Sequence, residues 1–149
     1  MDEVNYAELL TQYYADDIDA LSKYISYFEM KGGKDVASDY DGKQGKSDIR
    51  FPVFDATLLR FTDEASKTKL MDPNYMYGYR SAHITTEKQE HDAIVNARPR
   101  DLDLLRAILS RYVLEGRYKG SSWIEGAERK VFLNVLRKLR DMKNEAIIH

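Results

Sequence analysis

Apolar residues recur at intervals of three and four along most of this chain. Tyr6, Leu9, Leu10 and Tyr13 keep that spacing, and after Asp16 and Asp17 the series Ile18, Leu21, Tyr24, Ile25 and Phe28 resumes it. The pattern predicts two helices, or one bent helix, closed at Gly32 and Gly33, where glycine accepts the left-handed conformation of a helix end. Residues 33 to 48 carry almost no large apolar side chain and read as one long mobile loop. Phe51 to Phe54 follow as a short extended apolar plug, because Pro52 biases Phe51 away from helix. Asp55 then stands where an N-cap belongs, ahead of a helix bearing Leu58, Leu59, Phe61 and Ala65.

The stretch Tyr75 to Tyr79, with tyrosines alternating around Gly78, reads as a loop or short irregular strand. Thr86 and Gln89 match a capping box for a modest helix through Ile94 and Val95. Asp101 is placed to cap a stronger helix striped by Leu102, Leu105, Ile108, Leu109 and Tyr112. After a break between Gly116 and Ser122, one last helix is expected, with Ile124, Ala127, Val131, Val135, Leu139 and Met142 along one side. Together these segments predict an all-α, single-domain bundle of five to six helices spanning residues 1 to 149.

The run YVLEGRYKGSSWIEGAERKVFLNVLRKLRDM resembles the C-terminal signature of an uncharacterised family of small bacterial domains of unknown function. In that family a helix ends in an Arg-aromatic pair, here Arg117 and Tyr118. A glycine turn follows, here Gly120, and a last helix closes as Leu136 to Met142 do. FPVFDATLLRF is similar to the family's middle, whereas Lys130 occupies a position where a glycine is expected. The resemblance implies a fold and transfers no catalytic residue.

Composition narrows the function classes. At 149 residues and 43% hydrophobic content, the chain is long enough to bury a core of its own. The absence of cysteine excludes a disulfide framework, a thiolate zinc site and a thiol nucleophile, and fits a reducing, cytoplasmic setting. Neither a signal pattern nor a membrane span is expected. Residues 98 to 149 hold 12 Lys+Arg against 7 Asp+Glu, a net of +5, and residues 1 to 97 hold 11 against 18, a net of -7. Such a dipolar chain suits docking on a partner or on a second copy as a homodimer, and its acidic half disfavours generic nucleic-acid binding.

Three constellations are candidates for chemistry. Arg117 and Lys119 precede Gly120, Ser121 and Ser122 at the start of the last helix, with Arg129 and Lys130 two turns in, a donor set suited to phosphate, nucleotide or an acidic side chain. His83, Glu87 and His91 have the spacing of a divalent-metal triad, although Thr85 and Thr86 mark a helix start that leaves His83 outside; the expectation is no metal and no cofactor. Tyr75, Tyr77 and Tyr79 offer large rigid contact area for a partner. No nucleophile-base pair stands in a supporting context, so the reading leans away from an enzyme. A non-enzymatic interaction protein binding a protein partner comes first, and by analogy this suits a phage or mobile-element accessory or an inhibitor of host defences. A binder of a phosphate-bearing small molecule or nucleic acid through the basic C-terminal helices is the alternative.

Overall fold

The computed structural model describes residues 4–31, 36–40 and 51–148. The N-terminal periodic series is a bent succession of helices. Helix α1 (Tyr6–Glu8) is capped by Asn5, whose Oδ1 accepts from the Glu8 amide at 3.0 Å. It widens into a π-helical turn over Leu9–Tyr13, where the Tyr14 amide reaches the Leu9 carbonyl. Helices α2 (Ala15–Ser22) and α3 (Ile25–Met30) continue from there. The wider turn keeps Leu10 and Tyr14 buried on the same side as Ile18 and Leu21, toward the last helix.

Strands β1 (Ala37–Tyr40) and β2 (Phe51–Phe54) pair antiparallel, with Ala37 opposite Phe54 and Tyr40 opposite Phe51. The apolar plug is therefore a strand, and part of the expected loop is its partner. The rest of that loop, 33–35 and 41–48, lies outside the described residues. Helix α4 (Ala56–Ser66) buries Leu58, Phe61 and Ala65. Asp55 stands at its N-cap position but does not cap it, because its carboxylate accepts from the Tyr27 hydroxyl at 2.9 Å and faces Lys31.

Residues Tyr75–Ser81 form helix α5, where a loop or irregular strand is the expectation from sequence. The reason is packing. A Cβ at Gly78 would lie 2.7 Å from the Ala107 Cβ, so only glycine lets α5 settle this closely on helix α7 (Leu102–Glu115). Helix α6 (Glu87–Val95) starts at the expected capping box, with Gln89 and Thr86 exchanging two 3.1 Å bonds. A 3₁₀ turn at Pro99–Asp101 leads into α7, and Asp101 bonds the Arg98 amide instead of capping α7.

The expected last helix is two, α8 (Ser121–Glu128) and α9 (Val131–Ile148). Lys130 sits between them with φ 60°, in the left-handed region that favours glycine. The reversal brings the Phe132 ring against Gly126, where a Cβ would meet it at 2.5 Å. Phe132 belongs to the centre of the core, with ring centroids 5.0 Å from Phe61 and 5.3 Å from Phe28. Among the described residues no helix is long and apolar enough to cross a membrane.

The opposed charges of the two halves meet within the fold. On α9, Lys143 bonds Asp19 at 2.7 Å, Arg137 pairs with Glu29, and Lys138 donates to the Val95 carbonyl at 2.9 Å. These contacts hold the basic face of α9 to α2, α3 and α6.

The left-handed Lys130 predicts that Lys130→Gly stabilises the protein by about 1 kcal/mol, the strain a side chain bears in that conformation. Gly126→Ala, forced against Phe132, should instead cost about 1–3 kcal/mol. Denaturant midpoints of the two variants against the parent protein measure both, and a destabilised Lys130→Gly would overturn the first expectation.

Candidate functional site

Glu90 on α6 is the most deeply buried charged side chain described, at 3% exposure. A carboxylate removed from water needs donors around it, and α5 and α7 supply them. The Tyr79 hydroxyl donates to Glu90 Oε2 at 2.6 Å. The Tyr112 hydroxyl lies 2.8 Å from Oε1 and 3.0 Å from Oε2. Helix α5 carries Tyr79 inward because the residue follows Gly78, which lies directly against α7.

Arg111, beside Tyr112 on α7, places Nη1 3.5 Å from Glu90 Oε2. Its guanidinium lies 4.9 Å from the Tyr79 ring centroid and 5.4 Å from that of Tyr112, a cation held against two aromatic rings. Glu115 stands 3.8 Å from its Nε, too far for a hydrogen bond, and that buried nitrogen has no partner among the described residues. From the end of α8, Arg129 donates Nη1 to the Tyr112 hydroxyl at 3.1 Å and places Nε 2.6 Å from Glu87 Oε1. The chain of contacts thus leaves α6 at Glu90 and returns to it at Glu87.

These neighbours fix proton positions. Burial, then the charge of Glu90 and the bond to it, push the Tyr112 hydroxyl up to about 12, and the same causes raise Tyr79 further. Both phenols hold their protons at neutral pH, and both Glu90 oxygens are engaged as acceptors.

Two clefts open beside this network. One, of about 690 Å³, lies between α6 and α8, with Ile94 and Val131 as apolar lining and Glu87, Lys88, His91, Glu125 and Glu128 around them. The other, of about 490 Å³, runs between α5 and α6 and is lined by Met76, Ile84, Thr85, Thr86 and Arg111. Glu87, Glu90 and Arg129 line both.

The residues singled out from sequence are distributed differently. Arg117, Lys119 and Ser121 are exposed around the turn before α8, while Ser122 is buried. Arg129 and Lys130 follow the other end of α8, an eight-residue helix about 12 Å long. The anion set is therefore split in two. Neither serine caps α8, and the amides of Ser122 and Trp123 already donate to the carbonyls of Lys119 and Gly120. Of the tyrosines, Tyr77 is exposed, Tyr75 is half-buried with its hydroxyl 3.2 Å from Glu115, and Tyr79 is in the core. The extended segment expected to present them together is a helix, which turns Tyr77 away from the other two. His83, with φ 58°, falls between α5 and α6, and Glu87 is bound to Arg129. Among the described residues no three His, Asp or Glu side chains gather as a metal would require.

Glu90, Arg111 and Tyr112 form a site that sequence reasoning does not assemble: it reads Glu90 only as a neighbour of the histidine spacing and Tyr112 only as part of the α7 stripe. One signal was available: Glu90, Ile94 and Ala97 are spaced four and three apart, so the carboxylate falls on the buried face of its helix.

The Glu90 network predicts a specific alkaline sensitivity. Tyr112 is raised above its ordinary value of 10.0, so its contribution to stability is complete below pH 10 and is lost as pH rises through about 12. Tyr112→Phe should cost about 1.5–3 kcal/mol at neutral pH, the range for a hydrogen bond to a charged group, and should lose less stability than the parent between those pH values. Melting curves across the alkaline range test this; parallel pH profiles for the two proteins would refute it.

No family model, no curated protein and no solved structure matches the chain, so the likeness of its C-terminal run to a bacterial family rests on the quoted residues alone.

Proposed function

We propose that this chain is a non-enzymatic interaction protein that receives a basic segment of a protein partner in the cleft between α6 and α8. The observation that carries this reading is the composition of that cleft. Glu87, Glu90, Glu125 and Glu128 line it against Lys88 and Arg129, around the apolar surface of Ile94 and Val131. A lysine or arginine suits such a surface, because its aliphatic stem packs on apolar groups while its charged head reaches carboxylates. Acidic excess also steers a basic partner toward the cleft and raises the association rate.

The groups beneath support binding over catalysis. Glu90 is 3% exposed and held by hydrogen bonds from both tyrosines, whereas a general base must lie within hydrogen-bond reach of the substrate proton. The phenols are held protonated, which makes them poor nucleophiles. The alternative reading, a phosphate-bearing ligand or nucleic acid, would fall on the exposed Arg117, Lys119 and Ser121 without help from Arg129, whose guanidinium is engaged with Glu87 and Tyr112. A homodimer docked through the opposed halves has less to draw on, since α9 directs much of its basic charge into its own chain.

Titration with a short oligo-arginine peptide tests the reading. The double variant Glu125→Lys/Glu128→Lys should weaken binding at least about tenfold, about 1.4 kcal/mol, and added salt should weaken binding to the parent protein. Equal affinity of parent and variant would overturn the assignment to this cleft. Binding of inorganic phosphate that is lost in Arg117→Ala would favour the alternative.

A further inference from the structure

We propose that the Glu87–Arg129 ion pair is a removable bar between the two clefts, which a partner's arginine displaces by taking Glu87 from Arg129, so that the clefts join into one peptide groove. This rests on the reading of the α6–α8 cleft as a basic-peptide site, and adds which residue enters, what it exchanges with and where the neighbouring backbone goes.

The two cavities have three lining residues in common, Glu87, Glu90 and Arg129. Glu90 is fixed in the core by Tyr79 and Tyr112. The side chains that can move are those of Glu87, with 64% of its surface exposed, and Arg129, with 31%. The Glu87 end of the pair is in solvent, which screens the attraction and can rehydrate the carboxylate, so opening this pair costs less than opening a buried one.

Displacement also leaves neither partner stranded. Arg129 keeps the Tyr112 hydroxyl at 3.1 Å and has Glu125 at 3.9 Å, close enough to turn toward. Glu87 passes from one guanidinium to another. The incoming group is a guanidinium because it replaces one, and its planar fork matches a carboxylate as an ammonium does not.

The second cleft asks for something different. Arg111 lines this cleft with a side chain 32% exposed, while its Nε is shielded from solvent and has no hydrogen-bond partner among the described residues, so an acceptor entering the cleft reaches that N–H by a turn of the guanidinium. A buried unsatisfied N–H calls for an acceptor. A further carboxylate would be repelled by Glu90 and Glu115, whereas a neutral carbonyl would not. An extended peptide brings both groups at once, an arginine side chain for the first cleft and a main-chain carbonyl for the second, with Met76 and Ile84 as apolar lining on that side.

The test is an NMR titration that follows the Nε–H signals of Arg129 and Arg111 and the ring signals of His91. The probes are N-acetyl-arginine N-methylamide, methylguanidinium, which lacks the carbonyls, and N-acetyl-norleucine N-methylamide, which lacks the cation. The first should shift Arg129 and Arg111 saturably, methylguanidinium should shift Arg129 alone, and the norleucine probe should shift neither. Glu87→Gln should weaken the arginine probe about tenfold. Arg129→Gln, which removes the competitor for Glu87, should tighten it, an outcome that a purely structural ion pair would not give. Shifts at His91 with Arg129 unmoved would overturn the bar and leave the α6–α8 cleft as a basic site. No shift from any probe would overturn both.

Discussion

A carboxylate taken out of water costs several kcal/mol unless donors replace its hydration, and Glu90 makes that requirement the organising constraint of the C-terminal half of this protein. Its donors come from different elements, Tyr79 from α5 and Tyr112 with Arg111 from α7, and each must arrive within hydrogen-bond or ion-pair distance. Meeting all three fixes the angle at which α5 lies on α7 and the depth at which α6 is inserted. The glycine at position 78 follows from the same demand, because a methyl group there would lift α5 away and withdraw the Tyr79 hydroxyl. Arg129 extends the network to the end of α8 by donating to the Tyr112 hydroxyl.

The aromatic centre and the surface charges complete what this network leaves open. Tyr112 turns its hydroxyl toward Glu90 while its ring faces Phe132 edge-on, with centroids 6.3 Å apart, so one side chain joins the polar network to the Phe28–Phe61–Phe132 cluster. At the surface, the acidic N-terminal half and basic C-terminal half find each other across α9. Individually such exposed pairs contribute little. Their placement at Asp19, Glu29 and Val95, in three separate elements, nonetheless favours one rotation of α9 about its axis over others.

Much of the fold was legible because helical periodicity over ten or more residues has few competing interpretations. The Thr86–Gln89 capping box and the α7 stripe are found where sequence places them. The errors have physical causes. In YMYGY the residues alternate, yet Tyr75 and Tyr79 are also four apart, and five residues cannot separate a period of 2 from one of 3.6. The α8–α9 break is invisible because the left-handed residue is a lysine, where a glycine would have announced it. Asp55 and Asp101 mark helix starts correctly, but tertiary or neighbouring donors claim their carboxylates. Site residues were harder to read than elements. Arg117, Lys119, Arg129 and Lys130 look like one basic group only if α8 is ignored as a spacer, and partners such as Glu90 and Tyr112 are 22 residues apart in sequence.

Burial separates the two kinds of acid-base contact around the clefts and so divides their roles. Glu90 and Glu87 lie one helical turn apart on α6, and each is tied to a residue of another helix by a contact of 2.6 Å. Distance does not distinguish them. Water does: Glu90, at 3% exposure, has no solvent to replace its tyrosines, and Arg111 at 3.5 Å does not substitute for two short hydroxyl bonds, so the tyrosines cannot leave without exposing an under-satisfied charge in a medium of low dielectric constant. Glu87 is largely in solvent, which replaces Arg129 at little cost. A rigid floor and an exchangeable rim thus arise from the same residue type on consecutive turns of one helix. The proposed peptide binding would draw on both, because a pre-formed floor limits the entropy lost on association, while a rim whose charges are already loosely paired can release them to an incoming guanidinium without leaving either one bare.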